Sequence, residues 1–259
     1  MTMPSQGQMP SCLCGEGLTT ILSYGALMSE PSARLTFPGL CNFRLVRVRG
    51  YQRVFASPHL FLIGRHVVDP HTTLRLATLS AEPAPPHGDT GECGGGDERR
   101  GPSSFVAAAF EVSLDPEQRA AFVAREPEYA FAAVPFEALS STTAAGATGS
   151  RGGGVGVLCV ASTDAALREH GRVAAPAELG LRSVWHWRQD SGLLPCDVYL
   201  RHVLLAVRKA GAVAEESFLR DTLLCDRRTT LAQFLATSEQ RDVVMSAVPP
   251  PDLAARFNG

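Results

Sequence analysis

Leu18 to Met28 reads LTTILSYGALM, and the rest of the chain is organised around this stretch. Its first half, Leu18–Ser23, is apolar and rich in β-branched residues, the composition of a buried strand. The run stops at Ser23-Tyr24-Gly25-Ala26-Leu27, where Gly25 allows a tight turn. Consecutive N–H groups in such a turn can point into one concavity that suits a carboxylate or an oxyanion. Tyr24 could add its hydroxyl. Taken alone, the pattern fits a plain strand and turn better.

Three further stretches narrow the choice. Arg49-Gly50-Tyr51-Gln52-Arg53-Val54-Phe55 lies inside an alternating apolar segment, Ala124-Arg125-Glu126-Pro127-Glu128-Tyr129 follows a helix signal, and Pro195 to Tyr199 precedes an amphipathic run. Together with Y-G-x-L near the N-terminus, their order resembles that of the γ-glutamylcyclotransferase-like family. The stretch Arg49–Phe55 is similar to the G-[YW]-x-R-x-F strand of its ChaC-type and plant AIG2-like branches. The matches span about Leu18 to Leu235, and their specificity lies in order and spacing, because each motif is short.

The resemblance implies a function and a set of residues. Glu126 takes the place of the family's general acid/base on a γ-glutamyl substrate. The substrate's α-ammonium must lose a proton before its nitrogen can attack the γ-carbonyl, and the departing amine must gain one. A single carboxylate within hydrogen-bond reach can make both transfers while backbone N–H groups hold the oxyanion. Ring closure is intramolecular, so a folded substrate conformation supplies much of the acceleration. Ser23, Tyr24, Gly25, Ala26 and Leu27 would bind the glutamyl carboxylate or oxyanion, and Tyr199 would lie near the substrate. No metal and no organic cofactor is implied. Two departures stand out: Ala26 occupies the position where the commonest family form has Ser, and the gap from Glu126 to Tyr129 is shorter than usual. Glu128 is therefore the alternative base.

Composition excludes several other classes. The 259 residues carry a net charge of −2 and 45% apolar residues, with no run long enough to span a membrane. Neither nucleic acid nor an anionic membrane is an electrostatic partner for such a chain. The seven cysteines are scattered, without C-x-x-C or zinc-finger spacing, and read as reduced thiols of a cytoplasmic protein. No basic residue precedes Arg34, which argues against a signal or transit peptide, so 1–17 is expected to be a disordered leader. Two low-complexity stretches, about 81–104 and about 140–154, are expected as flexible surface insertions.

The remaining expectations are elements. Asn42–Ala56 reads as one long strand with a bulge at Gly50, whose arginines Arg44, Arg47 and Arg49 form a solvated face while Arg53 could line a cavity. Leu60–Val67, Thr73–Ser80, Phe105–Val112, Tyr129–Phe136 and Val155–Val160 read as strands. Asp115 caps a helix with Pro116 at its first position and Arg125 near its end. Thr163 caps the short helix Asp164–His170, Trp185-His186-Trp187 reads as a half-buried strand or pocket rim with His186 a candidate base, and Pro195–Ala210 reads as a helix. Thr229–Leu235 closes an α+β domain spanning 18–236: a small curved β-barrel or sheet packed with short helices. The tail 237–259 is expected to be loosely packed. The expected activity is release of 5-oxoproline from a γ-glutamyl amine or peptide, with a small molecule as partner and no oligomeric state indicated. Two alternatives remain: a catalytically silent binding module of this fold, or a hydrolase or acyltransferase using Cys41 or Cys196.

Overall fold

The computed structural model describes residues 17–85, 103–139, 153–170, 173 and 175–258. The leader and the centres of both low-complexity stretches lie outside the described residues. In chain order the strands are β1 (Leu18–Ser23), β2 (Cys41–Arg49), β3 (Tyr51–Pro58), β4 (Arg75–Pro83), β5 (Ser104–Ser113), β6 (Ala130–Ala138), β7 (Gly153–Val160), β8 (Leu194–Pro195) and β9 (Thr222–Leu223). Among the described residues, β1-β5-β2-β6-β7 form a closed barrel, and β8-β4-β3-β9 form a second sheet. The expected α+β architecture of a small barrel with short helices is present.

The barrel closes because β1 is shared. It pairs antiparallel with β5, Ile21 opposite Phe110, and parallel with β7, Ile21 opposite Val157. Inside β5, Ala107, Ala108 and Ala109 are fully buried, small side chains that let the tightly curved wall pack. The helices are α1 (Glu30–Thr36), α2 (Leu60–Gly64), α3 (Pro116–Arg125), α4 (Asp164–His170), α5 (Asp197–Ala210), α6 (Ala212–Arg220), α7 (Leu231–Phe234) and α8 (Ser238–Ser246). On α5, Leu200, Val203, Leu204 and Val207 recur at helical spacing and are all buried in the main core. The Asp115 cap and Pro116 start of α3 are as expected, and the Asp115 N–H donates to Gln118 Oε1 at 3.1 Å, completing a capping box.

Four expectations are corrected. Asn42–Ala56 is two strands in different sheets: Gly50, at φ +77°, turns the corner between β2 and β3. Leu60–Val67 is not a strand but begins as the helix α2, with Leu60, Leu62 and Ile63 buried. A short apolar run carries no period that separates the two. Trp185-His186-Trp187 forms an irregular turn, since Asp164 accepts hydrogen bonds from the N–H groups of Val184 (3.0 Å) and Trp185 (2.9 Å). The segment after Ala236 is packed. Thr237 caps α8, and Val244, Leu253 and Phe257 are buried in the main core.

Candidate active site

The Ser23–Leu27 loop leaves the end of β1 and runs into a single 3₁₀ turn, Ala26–Met28, closed by Met28 N–H donating to the Gly25 carbonyl at 3.0 Å. The N–H groups of Ala26 and Leu27 fall in the first turn, ahead of that bond, where no intrahelical acceptor exists. Tyr24 does not point its hydroxyl at the loop's concavity. It donates to the Cys159 carbonyl at 2.7 Å, tying the loop to β7, and its ring packs edge-on against Phe105. The hydroxyl's proton is thus committed within the fold, and Tyr24 remains part of the cavity lining.

Gly25 is required by a neighbour. A Cβ placed there would sit 2.6 Å from the Tyr199 hydroxyl oxygen. Tyr199, from the first turn of α5, thus lies directly against the loop. Both belong to the lining of a cavity of about 820 Å³, within the range of small-molecule sites.

Glu126 and Glu128 line the same cavity. Glu126 is the residue at which α3 ends, and its carbonyl accepts from the Tyr129 N–H at 3.3 Å. Trp185 holds the turn from outside, its indole N–H donating to the Glu128 carbonyl at 3.0 Å and its ring packing edge-on against Tyr129. Tyr129 in turn donates to the Leu79 carbonyl at 2.7 Å, fixing the turn to the second sheet.

The two carboxyls have different surroundings. Arg125 Nε donates to Glu126 Oε1 at 3.1 Å, and its Nη1 is bonded to Thr36 Oγ1. Burial raises the Glu126 pKa while the Arg125 guanidinium pulls it back, and a quarter of the side chain stays open to the cavity. Burial and the nearby Glu126 charge push Glu128 up to about 8, so this carboxyl is mostly protonated at neutral pH. Burial likewise raises Tyr24, Tyr129, Tyr199 and Cys159, which all remain neutral. The site can therefore offer two carboxyls in unequal surroundings and several neutral donors.

Other expected residues fall elsewhere. Arg53 is fully buried and does not line the cavity. It donates to Thr222 Oγ1 (2.7 Å) and to the carbonyls of Ser217 (3.0 Å), Val106 (3.2 Å) and Tyr24 (3.4 Å). It supports the loop from behind. Arg44 and Arg49 lie on the outer face, paired with Glu111 and Glu137. His186 is largely exposed and does not line the cavity. Cys41 and Cys196 do not line it either, and burial raises the Cys196 thiol to about 11, away from nucleophilic thiolate. Among the described residues no cluster of His, Cys, Asp and Glu could hold a metal ion, and no helix is long and apolar enough to cross a membrane.

No family model and no curated protein matches the chain. Three of the solved structures that match the chain are these. One is titled a γ-glutamyl cyclotransferase, with a TM-score of 0.35 at 9% identity, covering 56% of this chain and 68% of the other. The second is an uncharacterised protein from Homo sapiens, with a TM-score of 0.36 at 10% identity over 57% and 69% of the two chains. The third, from yeast, is titled a γ-glutamyl cyclotransferase specific to glutathione, with a TM-score of 0.40 at 10% identity over 74% and 87%.

Several lining residues went unnoticed in the sequence. Cys159 sits in a strand with nothing to mark it. His59 and His202 are single histidines, held neutral near pKa values of about 3 and about 4 by burial and then by Arg256. Arg256 and Phe257 come from the segment read as a loose tail. The buried spacing of Leu253 and Phe257 was the one available signal there.

Proposed function

We propose that the chain is a γ-glutamyl cyclotransferase that releases 5-oxoproline from a γ-glutamyl compound. The observation that carries this reading is that Glu126, Glu128 and the Gly25–Leu27 turn all line one cavity, together with the ordered motifs Y-G-x-L, G-Y-x-R-x-F, R-E and P-x-x-x-Y. The substrate's α-carboxylate lies at the loop. Glu126, whose charged form Arg125 favours against burial, accepts a proton from the α-ammonium. The freed amine attacks the γ-carbonyl, whose oxygen becomes an oxyanion facing the N–H groups of Ala26 and Leu27. Collapse of the tetrahedral centre expels the second amine, which takes a proton from the carboxyl now holding it. The substitution of Ala for Ser at position 26 is compatible with this scheme, because backbone N–H groups do the binding.

The test is 5-oxoproline release from a panel of γ-glutamyl amino acids, peptides and amines by wild type, Glu126→Gln and Glu128→Gln. The scheme requires release by wild type and a loss of about a hundredfold or more in Glu126→Gln. Loss confined to Glu128→Gln would move the base two residues along. No release from any compound by the folded protein would leave a silent binding module as the better reading.

A further inference from the structure

Beside the loop and the carboxyls, the cavity is lined by the C-terminal segment, through Ala255, Arg256 and Phe257. Leu253 and Phe257 anchor that segment in the core, and Phe257 packs against His202 and Phe61. Between these anchors stands Arg256, whose guanidinium carbon lies 4.1 Å from the centre of the Phe61 ring and 5.9 Å from that of Phe257. Stacking fixes the plane of the guanidinium and leaves its N–H edge available. Among the described residues none accepts a hydrogen bond from that edge, and the carboxyl whose charge it feels is Glu126. The other cation at the cavity, Arg125, is occupied by Glu126 and Thr36. Arg256 is thus a preorientated cation without a hydrogen-bonded counterion: burial, then the like charge of Arg125, lower its pKa, and the charge of Glu126 opposes them.

We infer that Arg256 is a specificity-determining residue that binds a carboxylate on the part of the ligand distal to the γ-glutamyl group. This rests on the cyclotransferase reading and deepens it: the preferred substrates are γ-glutamyl amino acids or peptides, whose leaving group carries a carboxylate, over γ-glutamyl derivatives of simple amines. The neighbouring surfaces of Phe61, Phe257 and Leu60 suit the apolar part of such a leaving group.

The test uses γ-glutamylalanine and γ-glutamylethylamide, which differ by that one carboxylate. In wild type, kcat/KM for 5-oxoproline release favours γ-glutamylalanine by about tenfold to a hundredfold, the worth of one charge-assisted contact. In Arg256→Met this preference shrinks towards one, and Arg256→Lys keeps most of it. A preference unchanged in Arg256→Met, or a fall of equal size on both compounds, overturns the inference. Calorimetric titration of both compounds into the Glu126→Gln/Glu128→Gln protein, with and without Arg256→Met, reads the same preference without turnover. A preference there that depends on Arg256, beside no release by wild type, would sink the reaction and keep the carboxylate site. Failure of that protein to bind either compound overturns the inference.

Discussion

A methyl group on Gly25 would collide with the Tyr199 hydroxyl at 2.6 Å but would meet the ring carbon bearing it at 3.9 Å. Gly25→Ala should therefore cost about 1–3 kcal/mol, the range for overpacking a filled site. Most of that loss should return in the Tyr199→Phe background, a coupling that thermal melts of the two single variants and the double variant would measure. Equal costs in both backgrounds would mean that the loop, not the contact, is responsible. The glycine was legible in the sequence as a turn residue, but its reason was not, because Tyr199 is far away along the chain. The carboxyl pair likewise divides into a legible part and a hidden one. Arg-Glu at the end of a capped helix was readable; the unequal environments of Glu126 and Glu128 depend on packing. Glu128 has its pKa raised from 4.5 to about 8 in the fold, so the folded state holds a proton that the unfolded chain releases. Stability from this group is present below pH 4.5 and is lost as pH rises through about 8. Glu128→Gln should accordingly melt higher than wild type at pH 9, with the gap closing towards pH 5. If the neutral Glu128 carboxyl also assists catalysis, the alkaline limb of kcat/KM should move in Glu128→Gln while the acid limb, set by Glu126, stays.

Elements show the same division between local and distant causes. β1, β5 and α3 were readable because their signals are local: a β-branched run, a buried FVAAAFEV stretch, and an Asp-Pro start. The corner at Gly50 was read as a bulge because one residue at positive φ can serve either purpose, and only the partner strands distinguish them. The Trp185 turn was misread because its organiser, Asp164, lies in another element. Arg53 illustrates how strongly such distant partners count. Its guanidinium lies between the Phe105 and Phe218 rings, at 5.2 and 4.8 Å from their centres, and donates to three backbone carbonyls. Burial lowers its pKa to about 9, with Asp221 the largest opposing influence. Arg53→Met removes the donors to the carbonyls of Tyr24 and Val106, while that of Ser217 keeps the Asp221 N–H, at a cost of about 3 kcal/mol or more. Urea unfolding should show that loss as a lower midpoint. A variant within about 0.5 kcal/mol of wild type would mean that the carbonyls find other donors.

At the scale of the whole molecule, the cavity is a meeting of parts distant in sequence: the barrel end with Tyr24 and Cys159, the second sheet with Leu79, α5 with Tyr199 and His202, and the C-terminal segment with Arg256 and Phe257. A sequence read in order finds the first and third through motifs. It misses the fourth, whose apolar anchors are only two residues in a polar, proline-rich stretch. Burial of Leu253 and Phe257 supplies about 1.5–3 kcal/mol each, enough to dock the segment but little more, so its attachment should be sensitive to charge beneath it. His59 and His202 lie there, His59 edge-on to Tyr199 at 4.8 Å and His202 against Phe257 at 5.3 Å. Both have folded-state pKa values below the ordinary 6.5: about 3 for His59 through burial, Arg256 and His202, and about 4 for His202 through burial, Arg256, Lys209 and Arg201. A lowered histidine pKa means that the unfolded or undocked state takes up the proton first. The stabilisation is present in full above pH 6.5 and declines as pH falls towards 4. Amide hydrogen exchange should therefore quicken in Pro251–Phe257 between pH 6.5 and 4, after correction for intrinsic rates, while β1 and β5 keep their protection. His202→Asn should flatten that pH dependence; uniform loss of protection in barrel and C-terminal segment alike would instead mark global acid unfolding.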